Sequence, residues 1–215
     1  MDSLRRLKEL FAHFPGIGPR QARRFVYYLL NKSPTAIREF TQLIEEVKKA
    51  TSECSRCHRF FMPNSKFQTN QPEISKNLIC SICADPNRDQ TELMVIARDS
   101  DFESIEKSGF YKGLYFILGG TIPILDKEPE KRIRLEKLLK CVSDSAAIKE
   151  IILSLNTTPD GEHTTDIVKD ALTKIISANP LTSTKISILG RGLSTGAELE
   201  YADSETIKSA LQNRH

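Results

Sequence analysis

Two Cys-x-x-Cys pairs, Cys54-Ser-Arg-Cys57 and Cys80-Ser-Ile-Cys83, flank the loop 58–79. No other feature restricts this chain so much. A tight two-residue turn points both sulfurs of a pair inward, and two pairs facing each other complete a tetrahedron, as in a four-thiolate zinc site. Four protein thiolates leave no open position for water or substrate, so one Zn²⁺ held by Cys54, Cys57, Cys80 and Cys83 would be structural. The function is then to be sought on either side of it. Two disulfides would need an oxidising compartment, yet the chain opens Met-Asp-Ser-Leu-Arg-Arg without the apolar core of a signal peptide. A thioredoxin-like pair would use one Cys-x-x-Cys and leave the other idle. Cys141, in the lysine-rich amphipathic run Leu135 to Val142, reads as a half-buried helix residue.

At 215 residues the chain holds one ordinary domain plus small modules. No apolar run approaches membrane-spanning length, and a soluble, cytoplasmic protein is expected. The net charge of +3 is modest, but its distribution is uneven. Residues 1–32 carry Arg5, Arg6, Lys8, Arg20, Arg23, Arg24 and Lys32 against Asp2 and Glu9 alone. A basic N-terminal module on a near-neutral chain suggests a polyanion partner, although charge by itself also fits a solvated helix face. There is no low-complexity tract and no internal repeat.

Leu4, Leu7, Leu10, Phe11 and Phe14 recur at three- and four-residue spacing, which predicts an amphipathic helix over 3–14. It stops at Pro15-Gly16-Ile17-Gly18-Pro19. Pro19 suits the first position of a second helix reaching Leu30, and the glycines allow a tight turn with exposed backbone N–H groups. At about 100° per residue, Ala22, Phe25, Val26, Leu29 and Leu30 fall together while Arg20 and Arg24 lie opposite. A Gly-x-Gly turn between two helices, with arginines at i and i+4 beyond it, is a helix-hairpin-helix pattern. Such a hairpin holds phosphate with N–H groups and guanidinium ions and reads no bases. Gly16, Gly18, Arg20, Arg23 and Arg24 are the candidate DNA contacts; a hairpin whose glycines only shape the turn is the alternative. A third helix, Pro34 to Ala50, presents Ile37, Phe40, Leu43, Ile44 and Val47 on one face and is expected to pack on the hairpin.

Beyond the cysteines the texture changes. Strands are predicted at Leu93–Ala97, Gly113–Leu118, Glu150–Ser154 and Lys185–Leu189, with a short edge at Glu198–Tyr201. Helices alternate with them at Asp101–Ser108, Glu130–Val142 and Gly161–Ser177. Buried strands alternating with helices predict a doubly wound parallel α/β domain, with binding or chemistry at the strand C-termini.

A basic helix-hairpin-helix, a four-cysteine knuckle and a small α/β domain, in that order, resemble the RecR family of bacterial recombination mediators, whose α/β part is a Toprim domain. Phe14-Pro-Gly-Ile-Gly-Pro-Arg-Gln-Ala-Arg-Arg24 is similar to its hairpin, and Cys80-Ser-Ile-Cys83 with Asp85-Pro-Asn-Arg88 to its second knuckle. Tyr115-Phe-Ile-Leu-Gly-Gly-Thr121 resembles its second Toprim strand, and Gly190-Arg-Gly-Leu193 with Gly196-Ala-Glu-Leu-Glu-Tyr-Ala-Asp203 its C-terminal signature. The chain departs from the family in a longer loop between the cysteine pairs. It also reads Pro123-Ile-Leu-Asp126-Lys-Glu-Pro129 where the family has a glycine-rich Ser-Pro-Leu-Asp-Gly-Ile-Gly-Pro. Asn156-Thr-Thr-Pro-Asp-Gly-Glu162 keeps the Asn, Gly and final Glu of the family's Asn-Pro-x-x-Glu-Gly-Glu. The implied layout is a helix-hairpin-helix module at 1–52, a four-cysteine zinc finger with an inserted loop at 53–90, a Toprim-like domain at 91–182 and a strand/helix extension at 183–215. The implied function is gap repair and recombinational repair with RecF- and RecO-type partners, helping RecA load on DNA coated by single-strand-binding protein. The family also implies a homo-oligomer, dimer to tetramer.

Catalytic Toprim domains hold Mg²⁺ with a Glu after the first strand and an Asp-x-Asp after a later one, because a hard cation takes carboxylate oxygens. Here those positions read Ala97-Arg98-Asp99 and Asn156-Thr157-Thr158, so a non-enzyme is expected. Asp99, Asp101, Asp160 and Glu162 stand before predicted helices, where capping is their expected role. His13, His58, His163 and His215 show no paired nucleophile, and Gly190-Arg-Gly-Leu-Ser-Thr-Gly196 lacks the lysine of a phosphate-binding loop. The competing readings are a Mg²⁺-dependent Toprim nuclease or primase-like enzyme, and a zinc-stapled adaptor that binds only proteins.

Overall fold

The structure is a computed structural model describing residues 2–63, 78–126, 131–178, 184–190 and 204–212, with 196, 198, 200 and 202. It divides into two compact units, Met1–Thr51 and Ser52–His215. No helix among the described residues is long and apolar enough to cross a membrane.

The first unit is three helices. Helix α1 (Ser3–Ala12) is started by Asp2, whose carboxylate accepts the Leu4 N–H at 3.0 Å. Helix α2 (Pro19–Leu30) packs on α1 through Phe11 and Phe25, ring centroids 5.8 Å apart, with Ala22 and Val26 buried on the same side of the helix. Helix α3 (Pro34–Ala50) starts at Ser33, whose hydroxyl accepts the Ala36 N–H at 3.2 Å. Ala36, Ile37 and Phe40 line a cavity of about 470 Å³ with Phe11, Phe25 and Leu29 of the hairpin, although Phe40 itself is 48% exposed. Farther along, Leu43, Ile44 and Val47 remain about half exposed, at 50%, 54% and 49%. Periodicity finds an apolar face correctly but cannot say whether its cover lies within the chain.

The second unit opens with a two-residue antiparallel ladder, β1 (Ser52–Glu53) on β2 (Phe60–Phe61), and a short helix α4 (Ser81–Ala84). A four-stranded, all-parallel sheet follows: β3 (Asp89–Ile96), β4 (Gly113–Ile117), β5 (Glu150–Ser154) and β6 (Lys185–Ile188), in the order β4-β3-β5-β6. The crossovers are α5 (Asp99–Ser108), α6 (Leu135–Ser143) and α7 (Pro159–Ala178), and α8 (Ser204–Gln212) follows the last strand.

Alternation along the strands splits the core into two layers. Leu93, Val95, Leu114, Phe116, Ile151 and Leu153 face Leu138 and Val142 of α6 and Val168 and Leu172 of α7. Met94, Ile96, Tyr115 and Ile117 face Phe102 and Ile105 of α5 on the other side. Both faces are therefore covered, which is why β4 is buried at every position and reads as an unbroken apolar run. Each fully buried Leu, Ile or Phe in these layers contributes roughly 1.5–3 kcal/mol.

The doubly wound parallel domain matches the sequence reading, and the differences lie at element ends. Strand β3 starts at Asp89, because polar residues 89–92 continue the ladder outside the core. Helix α5 starts at Asp99, since Asp101 turns back to accept the Arg98 N–H at 2.9 Å. Helix α7 starts at Pro159, whose fixed φ suits a first turn. Helix α6 starts at Leu135 where Glu130 was expected, and 127–130 lie outside the described residues. The edge expected at Glu198–Tyr201 includes 199 and 201, also outside them.

Candidate nucleic-acid interface and metal centre

The hairpin is built by local bonds. Phe14 N–H donates to the Phe11 carbonyl at 3.1 Å and Ile17 N–H to the Phe14 carbonyl at 3.0 Å, closing the turn between α1 and α2. Gly16 has φ +75°, the left-handed region that favours glycine. Gly18 has an ordinary extended backbone, φ −82°, and a Cβ there would meet nothing within 4 Å, so the approach to its backbone is open. Gly18 precedes α2 without any side-chain cap, and the first turn of α2 holds no acidic residue. The first N–H groups of a helix have no intrahelical partner and carry the positive end of its dipole. Arg20, Arg23 and Arg24 are exposed just beyond. Among the described residues none of the three pairs with a carboxylate; Arg24 touches only Gln21 Oε1, at 3.3 Å. The arginines of α1 differ, because Arg5 and Arg6 are both engaged by Glu9. The candidate residues Gly16, Gly18, Arg20, Arg23 and Arg24 thus share one open, acid-free helix end.

The four cysteines converge in the second unit. Their Sγ atoms all lie within 4.8 Å of one another, and all four residues are buried. Cys57 Sγ and Cys80 Sγ are 3.6 Å apart. A tetrahedron with Zn–S bonds of about 2.3 Å has edges of about 3.8 Å, so the donor set fits that ion. The knuckles are held by backbone bonds: His58 N–H to the Cys54 carbonyl at 3.0 Å, Ala84 N–H to the Cys80 carbonyl at 3.0 Å, and Ser55 N–H to the Leu78 carbonyl at 2.9 Å. His58 takes φ +64° to complete the first knuckle. Hydrogen bonds from Cys57, Cys80 and Cys83 hold the Cys54 thiol well below its ordinary range, whereas Cys57 and Cys83 are pushed up. Cys80 is also lowered, to about 7, so the cluster favours two thiolates over the other two, and a divalent cation would let all four ionise. Cys141 lies apart, half-buried on α6 against the apolar core, and burial pushes its thiol up.

Two polar networks that spacing alone could not find tie the finger to the sheet. Ile117 N–H donates to the Cys57 carbonyl at 2.9 Å, and Glu53 gathers His58 (2.7 Å), Arg134 (3.4 Å) and Lys137 (3.7 Å). Below the second knuckle, Arg88 forms an ion pair with Glu106 and lies over the Tyr115 ring, while the Tyr115 hydroxyl donates to Glu106 Oε2 at 2.8 Å. The only advance sign of Arg88 was its place in the motif following Cys83.

At the strand C-termini the acidic residues are occupied by backbone. Asp99 Oδ1 accepts the Phe60 N–H at 2.9 Å, Asp101 caps α5, and Asp160 Oδ1 accepts the Ile124 N–H at 3.2 Å. Among the described residues the cysteines are the one group of metal-binding side chains close enough to share an ion.

The chain matches the RecR helix-hairpin-helix family over residues 4–48, the Toprim domain over 91–182 and the RecR C-terminal family over 192–215. It is 35% identical over 209 residues to a protein named Recombination protein RecR from Chloroflexus aurantiacus, covering 97% of this chain and 92% of that one. The proteins of the same name from Lactobacillus acidophilus and Bifidobacterium adolescentis are 31% and 34% identical, covering 97% and 99% of this chain and 94% and 95% of theirs.

Proposed function

The chain belongs to the RecR family of recombination proteins, and we propose that it serves recombinational DNA repair, gap repair included, as a DNA-binding mediator without catalysis of its own. It would act with RecF- and RecO-type partners in the cytoplasm, helping RecA load on DNA coated by single-strand-binding protein. The observation that carries this reading is the uncapped, acid-free N-terminus of α2 behind the Gly16–Gly18 turn, with three exposed arginines beside it. Gly16 and Gly18 bring backbone N–H groups to a phosphate, Arg20, Arg23 and Arg24 neutralise it, and no base is read. Cys54, Cys57, Cys80 and Cys83 hold one structural Zn²⁺, and the modules are 1–52, 53–90, 91–182 and 183–215. The absence of catalysis is supported by Arg98 at the expected glutamate position and by the backbone N–H groups that occupy Asp99 and Asp160.

The test is a titration of labelled gapped DNA with zinc-loaded protein across a range of salt, with and without Mg²⁺. Intact DNA shifted in a salt-dependent way supports the mediator; strand cleavage in the Mg²⁺ samples would establish a nuclease instead. Arg20→Ala with Arg24→Ala is expected to weaken binding to every sequence and to reduce the salt slope by about two. Unchanged binding by this folded variant would remove the hairpin from the interface.

The reading includes a homo-oligomer, dimer to tetramer. The half-exposed apolar run Leu43, Ile44 and Val47 on α3 supports it, since a second copy would cover such a face. Leu43→Asp with Val47→Asp is expected to lower the oligomer mass in light scattering while the helix content stays constant. An unaltered mass would place the subunit contact elsewhere.

A further inference from the structure

The exposed face of α2 does not end with its arginines. Arg20, Arg24 and Tyr27 are related as i, i+4 and i+7, so they form one line along the helix, away from the buried Ala22 and Val26. Tyr27 remains 51% exposed, and its hydroxyl makes no hydrogen bond among the described residues. The ammonium of Lys8 on α1 stands 5.3 Å from its ring centroid. Beside it Tyr28 repeats the arrangement, exposed and with Lys32 Nζ at 4.4 Å from its ring. Helix α2 contains three arginines and no acidic residue.

An aromatic residue in this position leaves about half of its surface open to a ligand. It stands about 4.5 Å along the helix from Arg24, so a strand whose phosphates rest on Arg20 and Arg24 carries its next base to the ring. Sequence-tolerant single-strand binders combine cations that follow the backbone with aromatic rings on which bases stack. Lys8 adds a cation at the ring itself, placed for the next phosphate. In duplex DNA the base faces are already stacked on one another, and only an unpaired base can take the ring.

We propose that Tyr27, in line with Arg20 and Arg24 and backed by Lys8, is a base-stacking platform that makes the hairpin module prefer single-stranded over duplex DNA. This rests on the phosphate-binding reading of the hairpin, and the test separates the two. Full-length, zinc-loaded protein is titrated by fluorescence anisotropy against labelled oligothymidine and against a duplex of equal length at one salt concentration. Tyr27→Ala is expected to weaken oligothymidine binding about tenfold and to leave the duplex unchanged. Tyr27→Phe keeps wild-type affinity for both, and Tyr27→Leu, which keeps apolar bulk without a π face, behaves as Tyr27→Ala.

The proposal is overturned if Tyr27→Ala changes neither affinity, if it weakens both DNAs equally, or if Tyr27→Leu binds as the wild type does. A smaller oligomer accompanied by an equal loss on both DNAs would likewise overturn it, assigning the ring to a contact between copies. If Arg20→Ala with Arg24→Ala spares both DNAs, the hairpin reading itself fails. If that variant weakens both while Tyr27→Ala weakens neither, only the stacking role fails.

Discussion

Serine in place of Cys80 is expected to reduce the metal content from one zinc per chain to none and to unfold the finger around it. Structural zinc in small fingers is bound with an apparent 10–16 kcal/mol, on the order of the whole folding free energy of a domain. The loss should spread beyond the knuckles, because the Cys57 carbonyl is bonded to Ile117 of the central layer and Ile82 packs on both the cysteine cluster and the sheet. Chelation of the wild-type protein should act in the same way. In a thiol assay it would raise the reactive cysteines by four, leaving Cys141 as the fifth of the chain. The measurements are metal analysis, thiol titration and thermal unfolding before and after chelation. Retention of zinc by Cys80→Ser, or an unchanged unfolding temperature, would rule out a structural four-thiolate site.

The second large effect is expected at Arg88. Its side chain is 9% exposed, and it pairs with Glu106, stands over Tyr115 and donates to the Gly113 carbonyl at 3.3 Å. Glu106→Gln leaves this largely covered cation with a neutral partner; because the Glu106 side chain is 30% exposed, the cost should fall below that of a fully buried pair, at about 2 kcal/mol, still a sizeable share of a typical domain's stability. Arg88→Met combined with Glu106→Leu should recover much of it, because the pair can be exchanged for apolar packing but not halved. The pH dependence has a definite sign. Burial acts to raise the Glu106 carboxyl, but its hydrogen bonds with Arg88 and Tyr115 outweigh that and hold it below the ordinary carboxylate range. A depressed folded-state value means that the contribution is present above about pH 4.3, the ordinary glutamate value, and fades as pH falls through the folded-state value. Glu106→Gln should lose that acid-side dependence. Urea unfolding at neutral and acidic pH measures both effects; equal stability of wild type and Glu106→Gln at neutral pH would contradict the ion-pair account.

Much of this molecule was legible before any coordinates. Helices α2 and α3 and strand β5 have the predicted limits, because Pro19 and Pro34 start the helices and a short apolar run marks the strand. The convergence of four cysteines followed from spacing. The capping role expected for Asp101 was also readable, since a carboxylate two or three residues into a helix reaches back over a short, predictable distance. Less legible were the partners of single charged residues. Glu53 meets Arg134 and Lys137, and Arg88 meets Glu106, only after the sheet has brought distant segments together. The fate of the α3 apolar face was likewise unreadable: the same periodicity describes Ile37, which packs, and Ile44, which does not.

By itself, then, the sequence determined what depends on a few residues in succession: the hairpin turn, the helix starts, the two knuckles, the buried strands and the basic N-terminal module. Helical and strand periodicity, proline and glycine backbone limits and two-residue thiol turns all act within a turn or two of chain. The tertiary structure alone decided the strand order β4-β3-β5-β6, the part-buried Arg88–Glu106 pair, the backbone partners that occupy Asp99 and Asp160, and the placing of Lys8 of α1 over the exposed Tyr27 ring. Those features join residues far apart in the chain, and which of many chemically equivalent charges or rings meet is set by how the layers pack.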